Sequence, residues 1–598
     1  MKITPTTLTI NQLFSSNSEQ FIIPAYQRRY SWGERQWSDL FNDIKLLNQN
    51  DTHLLGNILC LTSDHTVGIN KLELVDGQQR TTTLTILIKA LADRFKELGI
   101  EDSHKEQEAM LSCKGFDRVP KRKLILGDLD DPDYVRFMTR NDVESSKNER
   151  FIAAYDYYSG ELGKLCEKDL YEFVHKLTNN TFVIRLDVAD AKDAYKLFET
   201  INNRGLKLSP TDIIKNFLLG HASLIEENTL EEVKRYWTEV IINLDGIKTD
   251  DFFRQYLSYL LKKKITASNI VVEFKNLYFN TVKEAENLNE FIVYEDLTDE
   301  TDDDVSDEDL VTEVQEEIIV NHTHKISITE FAKRLRNASN IYKQIRNQSF
   351  ESKVFNRHLR NLTMIKSFPS NIFLLDLFQR NIKEKDKVHI LKLIETFMLR
   401  RHVCEYRTAE LDTIFASLVN IEDNLAIYQV EKKLLKHLPS DNEFKEKFSM
   451  HNFKNNEGRA KYVLEEIEYD LINDHGEYIL NSGVDLHLEH IIPQKILTKK
   501  SKHEFGNWES YLGENAIELH KEHVNKIGNL TLLAQSLNIS ASNNPFKAKV
   551  EEYKKSNIQI TKEIADYDKF KFEQVLERCK ELGEKAVQIW RFPGADVK

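Results

Sequence analysis

The chain has 598 residues, too many for one ordinary core, so two to four domains are expected. Its make-up, 41% hydrophobic and 30% charged, is that of a globular protein rich in helix, and no apolar run is long enough to cross a bilayer. A formal net charge of -14 looks wrong for a protein that holds nucleic acid, but phosphate binding is decided by local lysines and arginines rather than by the average. The five cysteines are scattered without a CxxC pair, which argues against a disulfide scaffold and a zinc knuckle. The first residues lack the charged-then-apolar pattern of a leader, so a cytoplasmic location without membrane attachment is expected.

In chain order, TTLTI reads as a short strand, and FIIPAYQRRYSW is extended and aromatic, with Pro24 opposing helix. From Glu34 the spacing of Trp37, Leu40, Phe41 and Ile44 predicts an amphipathic helix. LLGNILCL and KLELVDG read as two strands, the second running through a tight turn at Asp76 and Gly77 into the helix QQRTTTLTILIKALADRF. Such a turn presents unpaired backbone N–H groups at a helix start, which suits an anion. Gln78, Gln79 and Arg80 add donors, while Asp76 can hold a metal or orient a water. An Asp-Gly turn that merely starts a helix explains the same residues. There is no GxxxxGK[ST] segment, so a P-loop nucleotidase is excluded.

FVIRLDV alternates as a strand, followed by a helix ending near Asn202, a loop through Arg204 and Gly205, and a helix capped by Ser209 with Pro210 at its first position. Helices are expected over about 226–280 and 326–471. Between them Tyr294–Glu317 is dense in acids and lacks Lys or Arg, which reads as a solvated insertion. Arg400, Arg401 and His402 end one long helical segment, where they either reach DNA or cap the helix.

Near the C-terminus HLEHIIPQ (His487–Gln494) precedes IGNLTLLAQSLN (Ile527–Asn538), two apolar runs carrying a Glu-His pair and two asparagines. Metal-assisted cutting of a phosphodiester needs a neutral imidazole to take a proton from water and a divalent ion to offset phosphate charge. His490 suits the first task and Glu489 is an oxygen ligand for the second, although strand alternation would turn these neighbours to opposite faces. His487 reads as structural or peripheral. Lys495, Lys499, Lys500, Lys502, Lys521, Lys526, Lys547 and Lys549 flank the segment as phosphate contacts. Two further helices, SNNPFKAKVEEYKKS and KFEQVLERCKELGEKAVQIW, close the chain.

The C-terminal segment resembles the HNH, or ββα-metal, nuclease motif. The resemblance implies His490 as general base, Asn529 holding it through backbone contacts, and Glu489 and Asn538 as ligands of Mg²⁺ or Mn²⁺. IPAYQRRYSW, LVDGQQR and FETINNRGLKLS resemble the N-terminal domain of the GmrSD family of modification-dependent restriction nucleases, a domain related in fold to ParB and sulfiredoxin. That implies a nucleoside triphosphate site of Tyr26, Gln27, Arg28, Asp76, Gly77, Gln78, Gln79 and Arg80, closed by Asn202 and Arg204, with Asp76 and Arg80 serving hydrolysis and Arg28 pairing with phosphate. Lys495, Lys547 and Lys549 are the implied DNA contacts.

The expected architecture is α+β and predominantly helical. It has a ParB/sulfiredoxin-like nucleotidase domain over 1–225, a helical spacer over 226–455 and an HNH domain over 456–598. The expected activity is type IV restriction in anti-phage defence: NTP hydrolysis at one end and cutting of double-stranded, modified phage DNA at the other, with a homodimer if both strands are cut. A phosphorothioate-sensing nickase of the same architecture, a ParB-like DNA-binding regulator without nuclease activity, and a toxin-like nuclease acting on host DNA remain as alternatives.

Overall fold

A computed structural model describes residues 3–48, 51–66, 68–140, 142–202, 209–288, 325–472, 486–497 and 506–597. The chain is mostly helical with a small mixed sheet, so it is α+β. It divides into two compact units, Met1–Phe253 with Ala267–Asn340, and Arg254–Thr266 with Ile341–Lys598. These cuts differ from the boundaries expected near 225 and 455. In the second unit one apolar core runs from Ile345 to Ala595, so the helices before 455 and the segment around His490 share it. Among the described residues no helix is long and apolar enough to cross a membrane. The acidic run 294–317 and Arg204 lie outside the described residues, as do Lys499, Lys500 and Lys502.

The first unit is built on six strands, β1 (Ile3–Thr9), β2 (Glu19–Ile22), β3 (His53–Thr66), β4 (Ile69–Asp76), β7 (Leu124–Ile125) and β8 (Thr181–Val188), in the order β1-β8-β3-β4-β2-β7. A separate hairpin joins β5 (Ser112–Lys114) and β6 (Pro120–Arg122). Pro5 is tolerated because β1 lies at the sheet edge and pairs only with β8. β4 buries Ile69, Leu72, Leu74 and Val75 and ends at Asp76, where Gly77 turns at φ 90°. Any other residue is strained there: beyond the left-handed backbone, a Cβ would sit 3.0 Å from Ile58 Cγ1 and 3.2 Å from Ile58 Cα.

The helix that follows, Gln78–Glu97, is buried along most of its length despite four threonines in its first two turns. Each hydroxyl donates back to a carbonyl one turn earlier, Thr81 to Gly77, Thr82 to Gln78, Thr83 to Gln79 and Thr85 to Thr82, so no donor is stranded. Its apolar side packs in one core with Trp37, Leu40, Phe41 and Ile44 of the helix Glu34–Lys45, the four residues whose spacing predicted that helix. Ser209 caps Pro210–Ala222 through the Asp212 N–H, as expected.

In the second unit β9 (Leu486–His490) and β10 (Leu530–Ala534) form an antiparallel pair, and β10 runs into the helix Gln535–Ala541. Arg400 and Arg401 do not reach the surface. The Arg400 guanidinium donates to Trp590 O at 2.9 Å and pairs with Asp441, while Arg401 donates to His437 O at 2.6 Å and to Glu410 at 2.9 Å. A buried guanidinium needs this many acceptors, so these arginines hold loops together and are not DNA contacts.

Candidate functional site

In the first unit the expected motif residues converge around the turn from β4 into Gln78–Glu97, but they split into groups with different tasks. Gln79 is buried and acts as a bracket. Its Oε1 accepts from the N–H groups of Ser31 (2.8 Å) and Trp32 (3.3 Å), and its Nε2 donates to Arg29 O (3.2 Å), fixing the loop that carries Arg28. Gln27 does the same for the end of β4, donating to Leu74 O and Val75 O while its Oε1 accepts from buried Lys215. Tyr26 is buried, donates to Glu73 and accepts from Tyr195, and burial raises its phenol well above the ordinary range. These three residues shape the site rather than line it with free donors.

The groups left to meet a ligand are Arg28, Arg80, Asp76 and the first-turn amides after Gly77. Arg28 is partly exposed, donates to Ser31 Oγ at 2.8 Å and lies 3.5 Å from Asp212. Arg80 lies 3.9 Å from Asp76 and donates to Asn57 O. Gly56 makes room for it, since a Cβ there would fall 2.8 Å from Arg80 Nη1. Gln78 is buried against a small cavity shared with Gln27, Arg28, Tyr30 and Thr82, and its Oε1 has no hydrogen-bond partner among the described residues. Arg28, Arg29 and Tyr30 also wall a larger cleft of about 570 Å³, with Lys147, Arg150 and Lys248 set against Asp245 and Asp250. That volume lies in the range of small-molecule sites, roughly 300–1,000 Å³. Asn202 ends the helix Ala191–Asn202, and nothing is described of its side chain.

Sequence reasoning missed Gly56 and Lys215. A glycine interrupting a strand signals a bulge or a close approach, and β3 does slip register between Leu54 and Gly56. Lys215 follows Asp212 by one turn within an otherwise apolar run, and burial lowers its ammonium from the ordinary lysine value, opposed by Asp212 and Asp76.

In the second unit β9 and β10 pair without distortion, His490 opposite Leu530 and Glu489 opposite Thr531. Regular alternation therefore turns Glu489 and His490 to opposite faces. Glu489 is buried, and its Oε1 accepts from Lys549 Nζ at 2.7 Å and Tyr553 OH at 2.9 Å; the same ammonium donates to His490 O at 2.8 Å. The structure thus gives Glu489 and Lys549 a structural ion pair in place of the expected metal-ligand and phosphate-contact roles. Burial lowers the Lys549 ammonium from its ordinary value and Glu489 opposes the shift.

His490 is half-buried, and burial pushes its pKa down to about 4, with Lys549 and His520 adding to the shift and Asn525 opposing it. The imidazole is therefore neutral at pH 7, the form a general base needs. Asn529, fully buried, does not touch the ring. Its Oδ1 accepts from Ile492 N–H at 2.8 Å, and its Nδ2 donates to Ile492 O at 3.0 Å and Val524 O at 2.8 Å. It holds the turn beyond His490 by backbone contacts. The ring itself is met by Asn525 and Gln494, each 3.3 Å from Nε2, and neither belongs to the expected constellation. Asn538 is half-exposed on Gln535–Ala541, a helix packed against β9. Lys495, shortly after His490 in the chain, and Lys547, beyond Asn538, are exposed.

A magnesium ion is commonly held by one or two carboxylates plus waters. Here the Oε1 of the motif's only carboxylate accepts from an ammonium and a phenol, the side chains bonded to the His490 ring are neutral amides, the nearby His520 has its Nε2 on Pro493 O, and no group of three or more His, Cys, Asp or Glu gathers among the described residues. As arranged, this donor set does not fit such an ion.

Two family models match the chain: the GmrSD restriction endonuclease N-terminal domain over residues 10–219 and the GmrSD restriction endonuclease C-terminal domain over residues 438–585. No curated protein matches it significantly. The first match spans the Arg28–Asp76–Arg80 cluster and the second spans His490, Asn525 and Asn529, so each candidate site falls inside a matched domain. With both domains present in order, the chain belongs to the GmrSD restriction endonuclease family, and it is a restriction nuclease whose substrate is DNA.

Proposed function

We propose that this chain is a modification-dependent, type IV restriction nuclease of anti-phage defence. In this reading the first unit binds and hydrolyses a nucleoside triphosphate, and the second cuts DNA with His490 as general base. The observation that carries it is His490 itself: an imidazole kept neutral by burial, at the end of β9, with its ring held by an amide and the turn beyond it pinned by Asn529. Neutral His490 takes a proton from water as the water oxygen attacks phosphorus and the bond to the leaving sugar oxygen breaks. The exposed ammoniums of Lys495 and Lys547 attract the phosphates on either side.

In the first unit the phosphates of the nucleotide meet the first-turn amides after Gly77 and the guanidiniums of Arg28 and Arg80, while Asp76 orients water. The domain folds implied are ParB/sulfiredoxin-like for the first unit and ββα for the segment β9, β10 and Gln535–Ala541. Nucleotide turnover regulates cutting through two states of different nucleotide affinity.

The test is a cleavage panel of unmodified, hydroxymethylated, glucosylated and phosphorothioated DNA with each nucleoside triphosphate, using wild type and His490→Ala. Wild type is expected to cut one modified class in a nucleotide-dependent way and His490→Ala to cut none. Equal cutting by both proteins removes the base, and cutting of unmodified DNA without nucleotide removes the sensor.

A further inference from the structure

The asparagine that the nuclease motif supplies does its work at a distance from the imidazole. Asn529 bonds the backbone on both sides of the site, Ile492 two residues beyond His490 and Val524 immediately before Asn525. His520 adds a second tie, its Nε2 lying 2.7 Å from Pro493 O. These bonds draw the segment carrying Asn525 onto the turn that follows His490, and they leave Asn525 Oδ1 3.3 Å from His490 Nε2.

An amide oxygen can only accept a hydrogen bond, so this contact requires the proton on Nε2 and leaves the lone pair on Nδ1. Gln494 makes the opposite demand, since its amide nitrogen donates and lies 3.3 Å from the same Nε2. The two cannot both be satisfied by one tautomer. Gln494 is exposed, whereas Asn525 is half-buried and anchored: its carbonyl accepts from Phe453 N–H at 2.9 Å, and the adjacent Lys526 bridges Asn452. An acceptor already held in place loses less freedom on making its bond than a mobile surface donor does.

We propose that Asn525 is a positioning residue that fixes His490 as the tautomer protonated on Nε2, making Nδ1 the atom that accepts a proton during DNA cutting. This rests on the reading of His490 as the base. Asn529 then acts one step back, as the clamp that presents Asn525.

The experiment uses the full chain with ¹⁵N-labelled histidine rings, reading long-range ¹H–¹⁵N couplings at neutral pH and identifying the His490 signals by their loss in His490→Ala. Wild type is expected to show a protonated Nε2 and an unprotonated Nδ1. Asn525→Ala is expected to lose that preference and to cut about tenfold to hundredfold more slowly in kcat, with KM and melting temperature unchanged. Asn525→Asp keeps an acceptor, and is expected to keep the tautomer and recover most of the rate. A wild-type ring protonated on Nδ1, or an Asn525→Ala protein that cuts at the wild-type rate, overturns the proposal. An active His490→Ala overturns the base assignment itself, whichever tautomer the wild type shows.

Discussion

Lys549 and Glu489 are 60 residues apart in the chain, yet the ammonium of one lies 2.7 Å from the carboxylate of the other with both side chains buried. The pair fastens the helix Phe546–Tyr553 to the underside of β9 and, through the bond from Lys549 to His490 O, sets the backbone from which the imidazole hangs. Breaking a buried pair from one side leaves a charge with no partner. Lys549→Met is therefore expected to destabilise the second unit by about 3–5 kcal/mol, read as a fall in its denaturant midpoint. Replacing both partners by apolar residues is expected to restore most of that loss, and a double variant as unstable as the single would show the pair to be unimportant.

The same pair shows where sequence stops being informative. His490 and Asn529 are legible because their order, spacing and apolar flanks recur as one pattern, and the turn at Gly77 and the cap at Ser209 are legible because their backbone conformations admit few residue types. The fate of Glu489 depends instead on the register of β9 against β10 and on a lysine that looks like a surface contact until the helix folds over it. Asn525 carries no periodic signal at all; it matters only because Asn529 pulls its loop against the ring. The apolar core shared across residue 455 is invisible for a related reason, since packing between distant helices leaves no mark in local composition.

Acid should weaken both folding and cutting in a defined direction. The His490 pKa is pushed down to about 4 and that of His402 to about 3, while burial also lowers those of His451, His520 and His523. Unfolding returns each to the ordinary imidazole value near 6.5, so below that pH the unfolded chain binds more protons than the folded one. The contribution of these residues is fully present above about pH 6.5 and is lost as pH falls toward their folded values. Cutting that needs neutral His490 is expected to lose rate nearer pH 4 than pH 6.5. A kcat/KM profile with its acid limb at 6.5 would contradict the buried base.

Two glycines in the first unit invite opposite outcomes. At Gly77 an added methyl meets the main chain of Ile58 in a left-handed turn, so Gly77→Ala is expected to cost about 1–3 kcal/mol and to lower the melting temperature of that unit. At Gly56 the obstacle is the mobile end of Arg80, although the backbone there also has φ 120°. Gly56→Ala is expected to displace the guanidinium from Asn57 O and weaken nucleotide binding more than it weakens the fold. Calorimetric titration beside thermal melting separates the two, and a Gly56→Ala protein with full nucleotide affinity would mean that Arg80 has no part in binding.

Arg80 supplies the sharpest test of the nucleotide site because its removal should barely disturb the fold. Its partner Asp76 is 3.9 Å away and both side chains keep contact with solvent, a geometry in which an ion pair contributes about 0–1 kcal/mol. The structural cost of Arg80→Ala is therefore confined to that pair and the bond to Asn57 O. The functional cost is different in kind: a planar fork beside the start of Gln78–Glu97 can grip two oxygens of one phosphate, and nothing of that shape is left at the position. Phosphate release from a nucleoside triphosphate is expected to fall at least about a hundredfold, with melting temperature nearly unchanged. Arg80→Lys should recover little, since a point charge does not replace the fork. Hydrolysis at the wild-type rate in Arg80→Ala would detach nucleotide chemistry from the turn at Gly77 while leaving the assignment of His490 untouched.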